Sequence, residues 1–129
     1  MNRDNPNLKN PPSGAWYGYY LYGHAGEKHR MRLGLTFASQ GSIDGEGIDD
    51  VGQFRIHGFF DSKTNHAGWT KAYVGRHTVE YRGVYGGRSI CGDWTLVGDT
   101  GGFWIWPSEF EEGEAVEEGI EEPLTVTVG

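Results

Sequence analysis

The sequence predicts an all-β domain closed into an eight-stranded antiparallel up-and-down barrel. Three observations predict it. From Ala15 to Trp106 apolar residues recur with period two and helical periodicity is nearly absent. The connections between strand candidates are short, which suits a meander. Glycine makes up 22 of 129 residues, about two and a half times its average usage of roughly 7%. Aromatics are also abundant at 14%. Rings to fill a core and glycines to bend strands are what tightly coiled β-structure needs.

The elements follow in order. Residues 1–13, with Pro6, Pro11 and Pro12, read as a flexible leader, 14–107 as the barrel and 108–129 as an acidic, unstructured tail. Ala15–Tyr22 is the first strand. His29–Ala38 is the clearest: Met31, Leu33, Leu35 and Phe37 share a face opposite Arg30, Arg32 and Thr36. A slip of one residue would put all four apolar side chains in water, so the register is well specified. Gly41–Gly47 is a short third strand. A turn at Ile48-Asp49-Asp50 leads into Val51–Phe60, where Phe54, Ile56, Gly58 and Phe60 face one way.

Residues 61–68 read as a polar loop, and strands five and six as Trp69–Val74 and His77–Tyr85, joined through Gly75-Arg76. Gly86-Gly87 is a two-residue hairpin signal. Strand seven, Arg88–Val97, aligns Ile90, Gly92, Trp94 and Leu96. Phe103–Trp106 is the eighth, ended by Pro107. Eight strands in an open sheet would leave two edges to protect, and closure removes them. The alternative is a two-sheet β-sandwich, which usually needs a longer crossing connection than 61–68.

Residues 1–106 hold 11 Lys/Arg against 10 Asp/Glu, so the net charge of −7 belongs to the segment after Pro107, with eight glutamates and no cation. A near-neutral domain with no basic stripe interleaved with aromatics argues against nucleic acid. No apolar run approaches the roughly 20 residues that span a bilayer. The first residues lack the apolar stretch of a secretion signal, and a cytoplasmic protein is expected. The single cysteine, Cys91, excludes an internal disulfide.

Catalytic signatures are absent. No serine sits in a Gly-x-Ser-x-Gly turn. Glu80, Asp93 and Cys91 alternate onto the polar faces of their strands. Glu46, Asp49 and Asp50 cluster near a turn where a calcium ion could sit, but the ligand spacing of a calcium loop is missing, and Asp49 and Asp50 read instead as turn residues that bond backbone N–H groups. The five histidines show no metal-ligand spacing, so neither a metal nor a cofactor is expected. His77 is the one histidine on a core-facing register. Trp16, Trp69, Tyr81 and Trp94 come from four strands and either converge near one mouth of a barrel or simply form its core. Trp104 and Trp106 share the opposite face, where they would form an exposed apolar patch open to a partner or a second copy of the chain.

Several motifs, taken in order, resemble the streptavidin–avidin family of calycin-type barrels. Gly14-Ala15-Trp16-Tyr17 is similar to that family's Gly-x-Trp-Tyr, and Gly58-Phe59-Phe60-Asp61-Ser62 to its Gly-x-Tyr-Asp-Ser. Gly68-Trp69-Thr70 resembles Gly-Trp-Thr, Tyr81-Arg82-Gly83-Val84-Tyr85 resembles Trp-x-Gly-x-Tyr, and Trp94-Thr95-Leu96 resembles Trp-x-Leu. The resemblance spans about residues 14–97. It implies an eight-stranded streptavidin- or lipocalin-like barrel with aromatic walls from Trp69, Tyr81, Trp94 and Leu96. It does not carry biotin binding: Gly18 stands where the family has asparagine, and His77 and Val79 fall where it has polar contacts.

The first expectation is therefore a non-enzymatic module holding a small apolar or amphipathic ligand at the barrel's open end, with Trp16, Trp69, His77, Tyr81, Trp94 and Leu96 as candidate contacts. An interaction or assembly domain using Trp104, Trp106 and the acidic tail, with a fully packed interior, is the second. A small barrel enzyme using His77 and Tyr81 as acid and base is the third.

Overall fold

A computed structural model describes residues 10–110 and 112 of the chain. Eight strands run β1 (Gly14–Tyr22), β2 (Glu27–Phe37), β3 (Ser42–Ile48), β4 (Gln53–Asp61), β5 (His66–Tyr73), β6 (Thr78–Tyr85), β7 (Ile90–Leu96) and β8 (Asp99–Pro107). Each pairs antiparallel with the next, and β8 returns to β1, so the barrel closes in sequence order. The up-and-down barrel is the architecture, and the two-sheet sandwich is excluded.

Alternation places the core. In β4, Phe54, Ile56, Gly58 and Phe60 are buried while Gln53, Arg55, His57 and Phe59 are exposed. Met31, Leu33 and Leu35 do the same in β2. One continuous cluster fills the interior from Trp16 and Ile90 to Tyr73 and Trp94. At roughly 1.5–3 kcal/mol for each large side chain removed from water, this burial is the main driving force for folding.

Most strand ends shift by one or two residues from the sequence reading, and two starts shift by three or more. The segment 61–68 is shorter as a loop, because β5 begins at His66 and buries Ala67. Asn65 takes the left-handed conformation (φ 65°) that ends the four-residue turn after Asp61. β8 begins at Asp99, since Thr100, Gly101 and Gly102 extend the ladder with β7. Polar and glycine-rich composition hid both extensions.

The core-facing glycines allow close strand approach. A Cβ on Gly92 would lie 2.6 Å from the Gly83 Cα, and one on Gly58 would lie 2.5 Å from the Trp69 Cα. Both contacts are with backbone, which cannot yield cheaply.

The connections 23–26, 49–52, 74–77 and 97–98 meet at one end, here the upper end. The lower end is closed by the leader. Pro11 is buried, Trp16 Nε1 donates to the Pro12 carbonyl (2.9 Å), and the Phe37 N–H donates to Ser13 Oγ (2.9 Å). The expected flexible leader thus docks in its last residues; 1–9 lie outside the described residues. The tail behaves similarly at its start. The Ser108 N–H bonds the Ala15 carbonyl, and Phe110 packs on Tyr19 and Trp106. Residue 111 and residues 113–129, including the strand-prone Leu124–Val128, lie outside the described residues.

Candidate functional site at the upper end of the barrel

The most unusual feature of the interior is a charge. In β5, Trp69, Lys71 and Tyr73 point inward by alternation, and Lys71 is only 1% exposed. Its Nζ pairs with Asp49 Oδ2 at 2.6 Å and donates to Tyr81 Oη at 3.1 Å and to Met31 Sδ at 3.3 Å. Four ring faces surround it, from Tyr20, Phe54, Tyr73 and Tyr81, with centroids 4.6–5.2 Å away. Aromatic faces and one carboxylate thus replace the hydration of the ammonium. Burial pulls the lysine down to about 8, against the opposing attraction of Asp49.

Asp49 enters from the β3–β4 turn and does two things. Its Oδ1 accepts from the Val51 and Gly52 N–H groups (2.9 and 3.3 Å), the turn role read from the sequence. Its Oδ2 accepts from Lys71 and from Tyr73 Oη at 2.6 Å. The neighbouring Asp50 reaches the rim, where Tyr20 Oη donates to it (2.9 Å) and His29 Nδ1 lies 2.6 Å away. Burial raises the Asp50 carboxyl, but the His29 and Tyr20 hydrogen bonds outweigh it and hold the group below the usual carboxylate range. The three tyrosines are pushed up, by burial first and then by Asp50 (Tyr20) or Asp49 (Tyr73 and Tyr81), so they stay neutral hydrogen-bonding phenols at physiological pH.

Glu46 is exposed on β3 while Asp49 turns inward to a cation, so the three carboxylates near this turn do not converge. Among the described residues, no group of three His, Cys, Asp or Glu is placed to hold a metal.

The aromatic candidates divide. Trp69, Tyr81 and Trp94 are Cα partners in one row across β5, β6 and β7. Trp69 stacks on Tyr81 (5.6 Å, 10°), with Phe103 edge-on to both. Trp94 donates its indole N–H to the Leu21 carbonyl at 3.0 Å, and Leu96 packs half-buried above it. Trp16 does not join them. It lies near the start of β1, at the lower end, against Phe37. His77 is not lumenal: it precedes β6, is exposed on the rim, and rests its ring against Tyr73 (5.1 Å). No described hydrogen bond joins it to Tyr81, whose hydroxyl is already held by Lys71. Toward the same end, Tyr22 and Trp94 approach at 5.8 Å and His29 stacks on Tyr20 at 4.8 Å, making an aromatic rim.

The expected exposed patch at Trp104 and Trp106 is not exposed. Trp106 is buried and Trp104 half-buried: the two indoles pack with Tyr19, and after Pro107 the chain turns so that Phe110 covers Tyr19 and Trp106.

Lys71 was legible by parity, since it stands between Trp69 and Tyr73. Its partner Asp49 lies 22 residues earlier in a turn, and no local pattern links the two. Comparison of the chain with protein-family models, with curated proteins and with solved structures finds no match.

Proposed function

We propose that this protein is a non-enzymatic binding module whose ligand, a small amphipathic molecule, sits on the upper rim over the Lys71–Asp49 pair. One observation carries the reading. A buried ion pair ringed by phenols is a poor stabiliser, because desolvation of both charges offsets most of their attraction. Groups with shifted protonation at one end of an otherwise apolar barrel are the kind of cluster found at functional sites. The exposed edge of Tyr22, with Trp94, His29 and Asp50, offers an apolar wall beside polar groups. The ordered motifs shared with streptavidin-like barrels support the same end. Since side chains fill the interior, the ligand rests at the rim and not deep in the lumen.

The test is native mass spectrometry of protein purified from its own host, beside a variant carrying Lys71→Met and Asp49→Asn. A small molecule retained by the wild type and absent from the folded variant supports the reading. Equal occupancy of both, or ligand-free wild type that no small-molecule library stabilises thermally, counts against it.

A second reading rests on a different place. The outer face of β4–β7 carries a groove of about 850 Å³ floored by Gly68 and Gly83, with Phe59 64% exposed beside it. Such a face suits a protein partner. Light scattering of the wild type and of Phe59→Glu distinguishes a self-association role.

A further inference from the structure

The outer face of β1, β2 and β8 assembles rows that no single segment contains. Across the three strands, Arg30, Tyr19 and Trp104 are Cα partners, and so are Arg32, Tyr17 and Trp106. Lys28 lies one step further along β2. The cations and rings come from different strands, which is why no stripe is visible along the chain.

The chain already seats a ligand-like group here. Glu112 accepts from Lys28 (3.1 Å) and from Arg30 (2.8 Å), and these two cations sit over the Tyr19 ring at 4.5 and 5.6 Å. Burial raises the Glu112 carboxyl, but the Arg30 and Lys28 hydrogen bonds outweigh it and hold it below its usual value. Two residues before it, Phe110 packs on Tyr19 and Trp106. Burial also pushes the Tyr19 hydroxyl up to about 12, although the residue lies on the outside of the barrel.

This cover is incomplete in two ways. A groove of about 470 Å³ remains between Tyr17, Arg32, Trp106 and Phe110. Trp104 Nε1 is buried with no hydrogen-bond partner among the described residues. Buried donors are nearly always satisfied, so an orphan on this face points to an acceptor that a docked partner brings.

We infer that this face is a docking site for an acidic peptide of another protein with an aromatic residue two positions before a glutamate, and that Phe110 and Glu112 are its intramolecular competitor. Glu112 and Phe110 show the chemistry that fits: a carboxylate between Lys28 and Arg30, and a ring on Tyr19 and Trp106. A backbone carbonyl of the incoming peptide would meet Trp104 Nε1. Tethering gives the resident segment an effective concentration of about millimolar, so it holds the site closed to weak competitors. Nucleic acid is disfavoured, since the resident anion is a carboxylate and the domain carries almost no net positive charge.

The probe is a fluorescein-labelled peptide with the sequence of residues 107–114, titrated by fluorescence anisotropy into the full chain. The variant with Phe110→Ala and Glu112→Gln should bind it about tenfold more tightly than wild type, and adding Arg30→Glu should abolish the gain. Equal binding by wild type and released variant overturns the inference, as does a gain that survives Arg30→Glu. An oligothymidylate that binds the released variant better than the peptide overturns it in favour of nucleic acid. Circular dichroism checks the fold. If the double variant unfolds, Glu112→Gln alone should raise affinity about threefold, and no rise would overturn the inference.

Discussion

Separating Lys71 from Asp49 tests whether their pair is kept for stability or for function. Replacing Asp49 by Asn leaves Lys71 buried without its counter-charge, and the lysine sheds its proton. Neutralising an amine that titrates near 8 costs about 1.4 kcal/mol at pH 7. Tyr73 Oη also loses a charged acceptor at 2.6 Å, worth about 1 kcal/mol more. Asp49→Asn should therefore cost about 2–3 kcal/mol. Lys71→Met keeps the volume but strands a carboxylate whose side chain is fully buried, with only Tyr73 and two backbone N–H groups to hold it. About 3–4 kcal/mol is expected there.

The two changes together remove both charges at nearly constant shape, so the double variant should fall within about 1 kcal/mol of wild type or exceed it. The coupling energy is then at least about 4 kcal/mol. Urea unfolding at pH 7, with slopes compared across all four proteins, measures it. Strictly additive losses in the double variant would refute the reasoning. They would mean that Lys71 and Asp49 stabilise the fold independently, each through its other contacts, and not as a pair whose attraction desolvation offsets.

The remaining predictions concern pH and close packing. Lys71 binds its proton less tightly in the fold (about 8) than in the unfolded chain (about 10.5), so stability should rise with pH between those values, by up to about 3 kcal/mol. Above about pH 10 the unfolded chain alone ionises Tyr20, Tyr73 and Tyr81, which reverses the trend; Lys71→Met should lack the rise. Gly92→Ala should lower the unfolding free energy by more than about 2 kcal/mol, because its Cβ would meet the Arg82 and Gly83 backbone. Gly34→Ala meets nothing within 4 Å and should change it by less than about 0.5 kcal/mol; thermal melts of both check the contrast. Trp16→Phe removes the hydrogen bond to Pro12 and leaves a void beside Phe37, for an expected loss of about 2 kcal/mol by denaturant titration.

Much of this protein could be read before its structure. Period two in β2 and β4 assigned Met31 to Leu35 and Phe54 to Phe60 to the inside. Short connections implied a meander, and eight strands implied closure. Alternation depends only on neighbouring residues, so it survives in a linear sequence, and Asp49 could be assigned its turn role for the same reason. What lies between distant residues was decided by the closed barrel. Pairing β1 with β8 completes the rows of Arg, Tyr and Trp on the outer face and brings Phe110 over Tyr19 and Trp106. Strand direction puts Trp16 at the opposite end from Trp94, and the 74–77 turn lifts His77 onto the rim. Most of all, closure carries the β3–β4 turn over the mouth, so that Asp49 meets a lysine 22 residues away. That contact exists because water is excluded there and each charge needs the other, a condition set by the enclosed volume and not by any stretch of sequence.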